Sequence, residues 1–307
     1  MPHTPPIVSR APVRIPAGAG VRGLGFMVAA CAAFATMGAL VYAAQRREPD
    51  ASALVGSGVR ISVNLLLVVL TAAKARDLHG LLGDARASLW ARGAFGSFAL
   101  MASFTSIRMI GIGEASFLHA SSGVFVALLA PFFLKQKNAL RAWVAIAGAL
   151  VGLWLLFEPR LADDSPYGRA LALASGLAAA FAYLMIARAG RSNPPSTVIF
   201  YFCIVAAGMH AVVFGLLDVT LPRQVFTWAL LLTAGVVGSA GQSCLTRAYQ
   251  SAPAALNSAV SYLQPVISLM ISVLIFARHP DARAWLGAAI VVIFGVALPF
   301  ARGRNVQ

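Results

Sequence analysis

Charge is what this sequence has least of. Only 11% of its 307 residues are Asp, Glu, Lys or Arg, against about 25% in an ordinary soluble domain. Acids are the scarcest: ten Asp and Glu stand against 24 Lys and Arg, a formal net charge of +14. With 59% hydrophobic residues, the chain can build a core but has too little polar surface to cover one in water. That excludes an ordinary cytosolic enzyme, a disulfide-stapled secreted domain and a disordered tail protein.

Chemistry-bearing patterns are missing as well. Cys31, Cys203 and Cys244 each sit inside an apolar run without ligand spacing, so they read as small buried hydrophobes. The five histidines, His3, His79, His119, His210 and His279, include no pair at the spacing of a helical metal site. No glycine-rich phosphate loop is present to drive an ATP-dependent pump. Gly241-Gln242-Ser243 stops short of a serine nucleophile elbow because Leu245 stands where the closing glycine belongs. No aspartate pair lies in an apolar run. The expectation is a protein that is not an enzyme and carries neither cofactor nor metal. The positive balance does not imply a nucleic-acid partner either, because no basic cluster interleaved with aromatics accompanies it.

Long apolar runs are what the chain does have. A bilayer core takes about 20 predominantly apolar residues per helix. Ten segments approach that length: Gly23–Ala44, Leu54–Ala73, Leu89–Ile107, Gly113–Leu134, Ala139–Phe157, Tyr167–Ala187, Ser196–Leu217, Phe226–Thr246, Ala252–Phe276 and Ala284–Phe300. The run after Arg22 reads as a first membrane helix with a basic flank, not as a removed signal peptide. The expected partners are therefore membrane lipid and a small-molecule substrate.

Orientation comes from the cations. With the N-terminus inside, inner segments hold 15 Lys and Arg and outer segments hold 8, with Arg60 left inside the second span, which accounts for all 24. Excess cations mark the cytoplasmic side, so both termini are expected there, in the inner (plasma) membrane.

A repeat is also legible. Arg141-Ala142-Trp143 recurs 142 residues later as Arg283-Ala284-Trp285, and at that offset Ser116 matches Ser258, Val124 matches Val266 and Ala147 matches Ala289. Each triplet opens the last helix of a set of five. Five is odd, so the second set must cross the membrane upside down relative to the first, the arrangement of many secondary transporters. The fold class expected is an all-α membrane protein of ten transmembrane helices in two inverted five-helix repeats. Its divisions are a flexible basic tail (1–21), a first repeat (22–157), an outer linker (158–165), a second repeat (166–300) and a cytoplasmic tail (301–307).

Several passages in this order resemble the EamA-type branch of the drug/metabolite transporter superfamily. They are Gly113-Glu-Ala-Ser-Phe-Leu118 through Phe125-Val-Ala-Leu-Leu-Ala130 and Arg247-Ala-Tyr-Gln-Ser-Ala-Pro253 with Ser261-Tyr-Leu-Gln-Pro-Val266. Arg60, Trp90-Ala-Arg-Gly93 and Phe157-Glu-Pro159 fit as well. The resemblance runs from about Arg22 to Phe300. Departures are Gly123, where the family usually has proline, and Lys135-Gln136-Lys137 and Arg278-His279, where an acid is usual. The resemblance implies a permease with a central cavity between helices one, three, four, six, eight and nine, export somewhat favoured over uptake, and leaves a homodimer open.

Within that cavity the expected substrate contacts are Phe34, Ser97, Ser103, His119, Ser122, Tyr183, Gln242, Asn257, Ser261, Tyr262 and Gln264. Uncharged hydroxyls and amides with two aromatics suit an amino acid-like or amphiphilic solute. The competing reading of each small polar residue is helix–helix glue. Arg60, His119 and Glu114 are the candidates for coupling or gating. For Arg60 the plain alternative is snorkelling to the outer surface, for His119 a hydrogen bond to a facing helix, and for Glu114 an interfacial position. A membrane receptor or scaffold that binds without turnover is the alternative function, though the short loops offer no signalling domain. In a cysteine-free background, an impermeant thiol reagent added outside is expected to label Asp163→Cys but not Arg76→Cys; the reverse pattern would overturn the topology.

Overall fold

The computed structural model describes residues 19–110, 112–136, 138–157, 165–276 and 280–297. The tail, the linker from Glu158 to Asp164 and the C-terminal residues after Ala297 lie outside them. Twelve α-helices form among the described residues: α1 (Ala19–Arg47), α2 (Ala53–Lys74), α3 (Ala87–Ile110), α4 (Ile112–His119), α5 (Ser122–Leu134), α6 (Leu140–Phe157), α7 (Pro166–Ala189), α8 (Pro195–Leu216), α9 (Val225–Ser251), α10 (Ala254–Ser261), α11 (Leu263–Phe276) and α12 (Ala282–Val292). A π-helical turn, Ile293–Ala297, extends α12. Helix begins at Ala19, so the last three residues of the expected tail already belong to α1.

Eight segments are long and apolar enough to cross a membrane, counting Glu114–Leu134 and Ala254–Phe276 as one crossing each. The 24-residue α3, which carries two arginines, and the shorter apolar helix Ala282–Val296 complete ten passages. The outward surfaces carry the apolar residues that water would not tolerate, Phe132, Leu140, Leu274 and Leu216 among them, each more than three-quarters exposed. Small residues line the interior instead. Ala30, Ala127, Ala145, Ala180, Ala248 and Ala259 are fully buried, as expected where packing rather than water drives helices together.

The offset of 142 found in the sequence organises the whole fold. Applied to Ala53 and Lys74 it gives 195 and 216, the bounds of α8; applied to Ile112 and His119 it gives 254 and 261, the bounds of α10. The packing follows the same rule. The long contact of α1 along α9 has its counterpart in α3 along α7, α2 on α9 in α8 on α3, and α5 on α7 in α11 on α1. Helix α6 meets α12, and α2 meets α8, across the pseudo-twofold axis itself.

The loops show that the halves are inverted. Between α1 and α2, Glu48 accepts hydrogen bonds from the Arg223 and Gln224 amides of the α8–α9 loop, and the Ser52 amide donates to the Thr220 carbonyl. One passage later, on the opposite face, the α2–α3 loop is tied to the α7–α8 loop. There Asp84 accepts from Ser192 and Asn193, Thr197 donates to the Gly80 carbonyl and Tyr201 to that of Leu82. Gly83 takes a positive φ at this contact, with the Asn193 side chain filling the space a Cβ would need. Partial desolvation alone would raise the Asp84 carboxyl, but bonds from Ser192, Asn193 and the Arg86 amide outweigh it and hold the group below its usual range.

At the axis between α6 and α12 the backbones touch. A Cβ on Gly152 would lie 2.7 Å from the Gly287 carbonyl oxygen, and one on Gly287 would lie 2.6 Å from that of Gly152. Backbone cannot yield as a side chain does, so Gly152→Val is expected to cost roughly 1–3 kcal/mol or more and to lower the melting temperature of the detergent-purified protein. Gly38→Ala, with open space around it, should leave melting unchanged; equal melting of both variants would contradict this contact.

Candidate transport site

Two interrupted helices meet at the centre. The passage from Ile112 to Leu134 breaks at Ala120–Ser121, and the passage from Ala254 to Phe276 breaks at Tyr262. Ala120 and Tyr262 are equivalent positions at the repeat offset. They also touch: the Tyr262 hydroxyl donates to the Ala120 carbonyl at 2.9 Å. A carbonyl freed inside a bilayer costs several kcal/mol if nothing satisfies it; that of Ala120 accepts both this hydroxyl and the Gly123 amide, the latter at 3.1 Å. At the second break Pro265 removes the amide that would return to the Ser261 carbonyl, and the Cys31 thiol of α1 approaches the carbonyls of Val260 and Ser261, both at 3.7 Å.

Gly123 now has a reason. A Cβ there would overlap the Tyr262 hydroxyl, so the residue that replaces the family's proline admits the tyrosine sealing the break.

His119 ends α4 beside the first break. Its Nδ1 lies 2.8 Å from Ser175 Oγ of α7, whose hydroxyl is 2.7 Å from the Ala172 carbonyl. A serine has one proton to give, and the carbonyl can only accept. With that proton on the carbonyl, Nδ1–H of His119 donates to Ser175. The histidine thus makes the helix-to-helix bond that was the plain reading of it.

Other expected contacts divide. Phe34, Tyr183 and Gln242 come together around the arginines described next. Ser97 is fully buried but donates to its own helix at Gly93, and Ser261 donates to Ser258 in the same way. Asn257 is fully buried and donates to the carbonyls of Ala248 and Ala252, fastening the start of α10 to the end of α9. Ser122 is buried in the first turn of α5, while Ser103 and Gln264 are half-buried. Glu114 is not a free interfacial acid: it binds Arg169 at 2.6 Å, joining α4 to α7.

Arg60 does not snorkel. Its guanidinium lies 5.2 Å from the Phe34 ring centroid, near the middle of α1, and Nη2 makes a long 3.5 Å hydrogen bond to Gln242 Oε1 of α9. Gly238 of α9 also faces this region, though a Cβ there would collide with Met37 Sδ at 2.6 Å and only touch Arg60 Nε at 3.5 Å.

Arg92 is the residue that charge counting misplaced. It is counted among the 15 inner cations although the expected span from Leu89 already contains it; α3 begins at Ala87 and Arg92 is only 3% exposed. Its guanidinium lies over the Phe202 ring of α8, 4.1 Å from the centroid, and against Gly96. Gly96 is one turn further along α3, so the side chain reaches toward the bilayer centre. A snorkelling arginine would turn the other way. Gly96, four residues after Arg92, was the legible signal, since it makes room for the head group.

Neither guanidinium is neutralised. Arg60 Nε and both Nε and Nη1 of Arg92 are buried without a hydrogen-bond partner, and among the described residues neither arginine has an ion-pair partner. The two groups are within electrostatic reach of each other and of Tyr183 and Cys203. Tyr183 itself stacks on Tyr249 with centroids 4.9 Å apart. A charge at mid-bilayer costs about 2.5–3.5 kcal/mol on insertion scales, and a cation–π contact returns about 0.5–2 kcal/mol. The site thus holds two arginines at a net cost. A cavity of about 380 Å³ lies elsewhere, between α2, α8 and α9 beside the buried His210–Ser57 hydrogen bond.

The profile of the EamA-like transporter family matches residues 21–158 and again 166–300. The chain belongs to this family. The riboflavin transporter of Vibrio cholerae is 26% identical over 184 residues, covering 60% of this chain and 61% of that protein, so the likeness spans less than two-thirds of that relative. The pseudopaline exporter of Pseudomonas aeruginosa is 27% identical over 276 residues, covering 90% of this chain and 95% of the exporter. An S-adenosylmethionine uptake transporter of Rickettsia bellii is 28% identical over 195 residues, 62% of this chain and 65% of that protein. A solved crystal structure shares the fold with a TM-score of 0.80 at 17% identity, covering 92% of this chain and 99% of that one. This EamA-family chain is a multi-pass membrane protein whose named relatives are transporters.

Removing the hydroxyl that seals the first break should be felt in stability. Tyr262→Phe is expected to cost about 0.5–1.5 kcal/mol, the net worth of one hydrogen bond, since the Ala120 carbonyl keeps the Gly123 amide, read as a lower melting temperature in detergent. Gln264→Ala, with a half-buried side chain, should shift melting far less; a reversed ranking would remove Tyr262 from this role.

Proposed function

We propose that this EamA-family protein is a secondary transporter that moves a small metabolite outward across the inner membrane by alternating access, with both termini cytoplasmic. The observation that carries this reading is the contact of the two helix breaks at equivalent positions of the inverted halves. Broken helices at a repeat interface are where transporters place their substrate sites, and here the interface also holds unpaired polar groups. An inverted pair of similar halves has two related conformations, each half taking the other's shape, and exchange between them opens the centre to one face and then the other.

Outward movement is supported by the pseudopaline exporter, the relative whose likeness extends over 90% of this chain. The Glu114–Arg169 ion pair would act at the outer end as a tie that must part before the outer face opens. An amino acid-like or amphiphilic solute suits the mixture of Phe34, Tyr183 and Gln242 near the centre.

Untargeted metabolite profiling of cells with and without the protein is expected to show one solute class depleted inside and enriched outside, followed by saturable flux of that solute in proteoliposomes. Saturable binding without flux would overturn transport in favour of a receptor, and depletion outside with accumulation inside would overturn export.

A further inference from the structure

We propose that Arg60 and Arg92 together hold the oxyanion group of the transported solute, making the substrate class small organic anions that carry a carboxylate or phosphate. This rests on the transport reading above and narrows it.

The two side chains come from neighbouring helices of the first half, α2 and α3, and both turn toward the bilayer centre. Arg60 reaches Phe34 and Gln242, and Arg92 passes over Gly96 to Phe202. Three of their buried guanidinium nitrogens donate to nothing. The sequence has no acid between Asp50 and Asp77 or between Asp84 and Glu114, so neither α2 nor α3 carries a carboxylate inside the membrane. Glu114 is already committed to Arg169. An uncompensated pair of like charges in low dielectric is unfavourable until an anion sits between them. Guanidinium is also the side chain suited to such an anion, because its planar fork gives paired donors to a carboxylate or phosphate.

The surroundings fix how the rest of the solute would lie. Phe34 and Phe202 back the two guanidinium groups, and the stacked Tyr183–Tyr249 pair gives an apolar wall nearby. Position 202 is the α8 equivalent of position 60 in α2, so the second half presents a ring where the first presents a charge. The anionic end therefore belongs against the first half and the apolar part against the second.

The test measures melting of the purified full-length protein at matched ionic strength, with chloride as reference. The probes are succinate, citrate and inorganic phosphate, then neutral succinamide, cationic putrescine and phosphatidylglycerol vesicles. Succinate, citrate or phosphate should raise the melting temperature, whereas succinamide and putrescine should not. Arg60→Gln and Arg92→Gln should each weaken the anion response by roughly 10- to 100-fold in concentration, with Arg92→Lys falling between. Equal responses to charged and neutral probes, no response to any of the three anions, or an anion response unchanged in both glutamine variants would overturn the proposal. A response to phosphatidylglycerol alone would also overturn it, assigning the arginines to lipid headgroups. Where a variant elutes as an aggregate, discrimination by the unaltered protein decides the matter in the same two directions. Counterflow in proteoliposomes separates this inference from transport itself. Flux of a neutral or cationic solute without anion binding removes only the anion site, and anion binding without counterflow removes only the transport.

Discussion

A lipid bilayer offers no hydrogen-bonding partner to a broken helix, and the centre of this fold is arranged around that constraint. Two passages break at matching positions, and the break in each is closed by a side chain from elsewhere: Tyr262 for the Ala120 carbonyl, Cys31 for those of Val260 and Ser261. The first closure crosses between the halves, so the interruption of one repeat is stabilised by the interruption of the other. Gly123, the small residues of α7 at Gly176 and the approach of His119 to Ser175 all follow from bringing α4, α5, α7 and α10–α11 that close. A full-length helix in either place would need none of them.

The same low dielectric that makes a freed carbonyl costly makes an unpaired guanidinium more so. The chain places two of them within reach of each other and spends no acid on either. On the expected topology most of its +14 lies in inner loops, where membrane proteins generally collect cations. Arg60 and Arg92 are the exceptions, and they are informative because neither takes the easy route of reaching back to the nearer interface. Arg92 goes deeper past Gly96 instead.

Much of the fold was legible before any coordinates. Apolar length located ten passages whose helical bounds lie within a few residues of the structure, because a bilayer sets helix length directly. The Arg-Ala-Trp repeat fixed an offset that proved to hold for α2, α4 and α6 as well as for the triplet. The site was less legible. Serines chosen for polarity, such as Ser97 and Ser261, turn out to bond their own helix, which no spacing reveals. Arg92 falls inside both the expected span from Leu89 and the helix from Ala87, yet so near their start that it was counted with the inner cations. Helix interruptions were foreseeable at Pro265 but not at Ala120, where the cause is a partner 142 residues away.

Symmetry of backbone and asymmetry of chemistry have separate roles here. On the proposed reading, the inverted halves make two opposite openings nearly equal in energy, since each conformation of one half is available to the other. A solute carried through such a device would still need to be held in one orientation. The repeat offset shows where the halves stop matching: Arg60 against Phe202, Arg92 against Ala234, Ser175 against Ala33, His119 against Ser261. Charge and imidazole lie in the first half, with an aromatic ring, a methyl and a hydroxyl at their counterparts in the second. Duplication accounts for how the protein could alternate, and the divergence at these few positions accounts for what it could select.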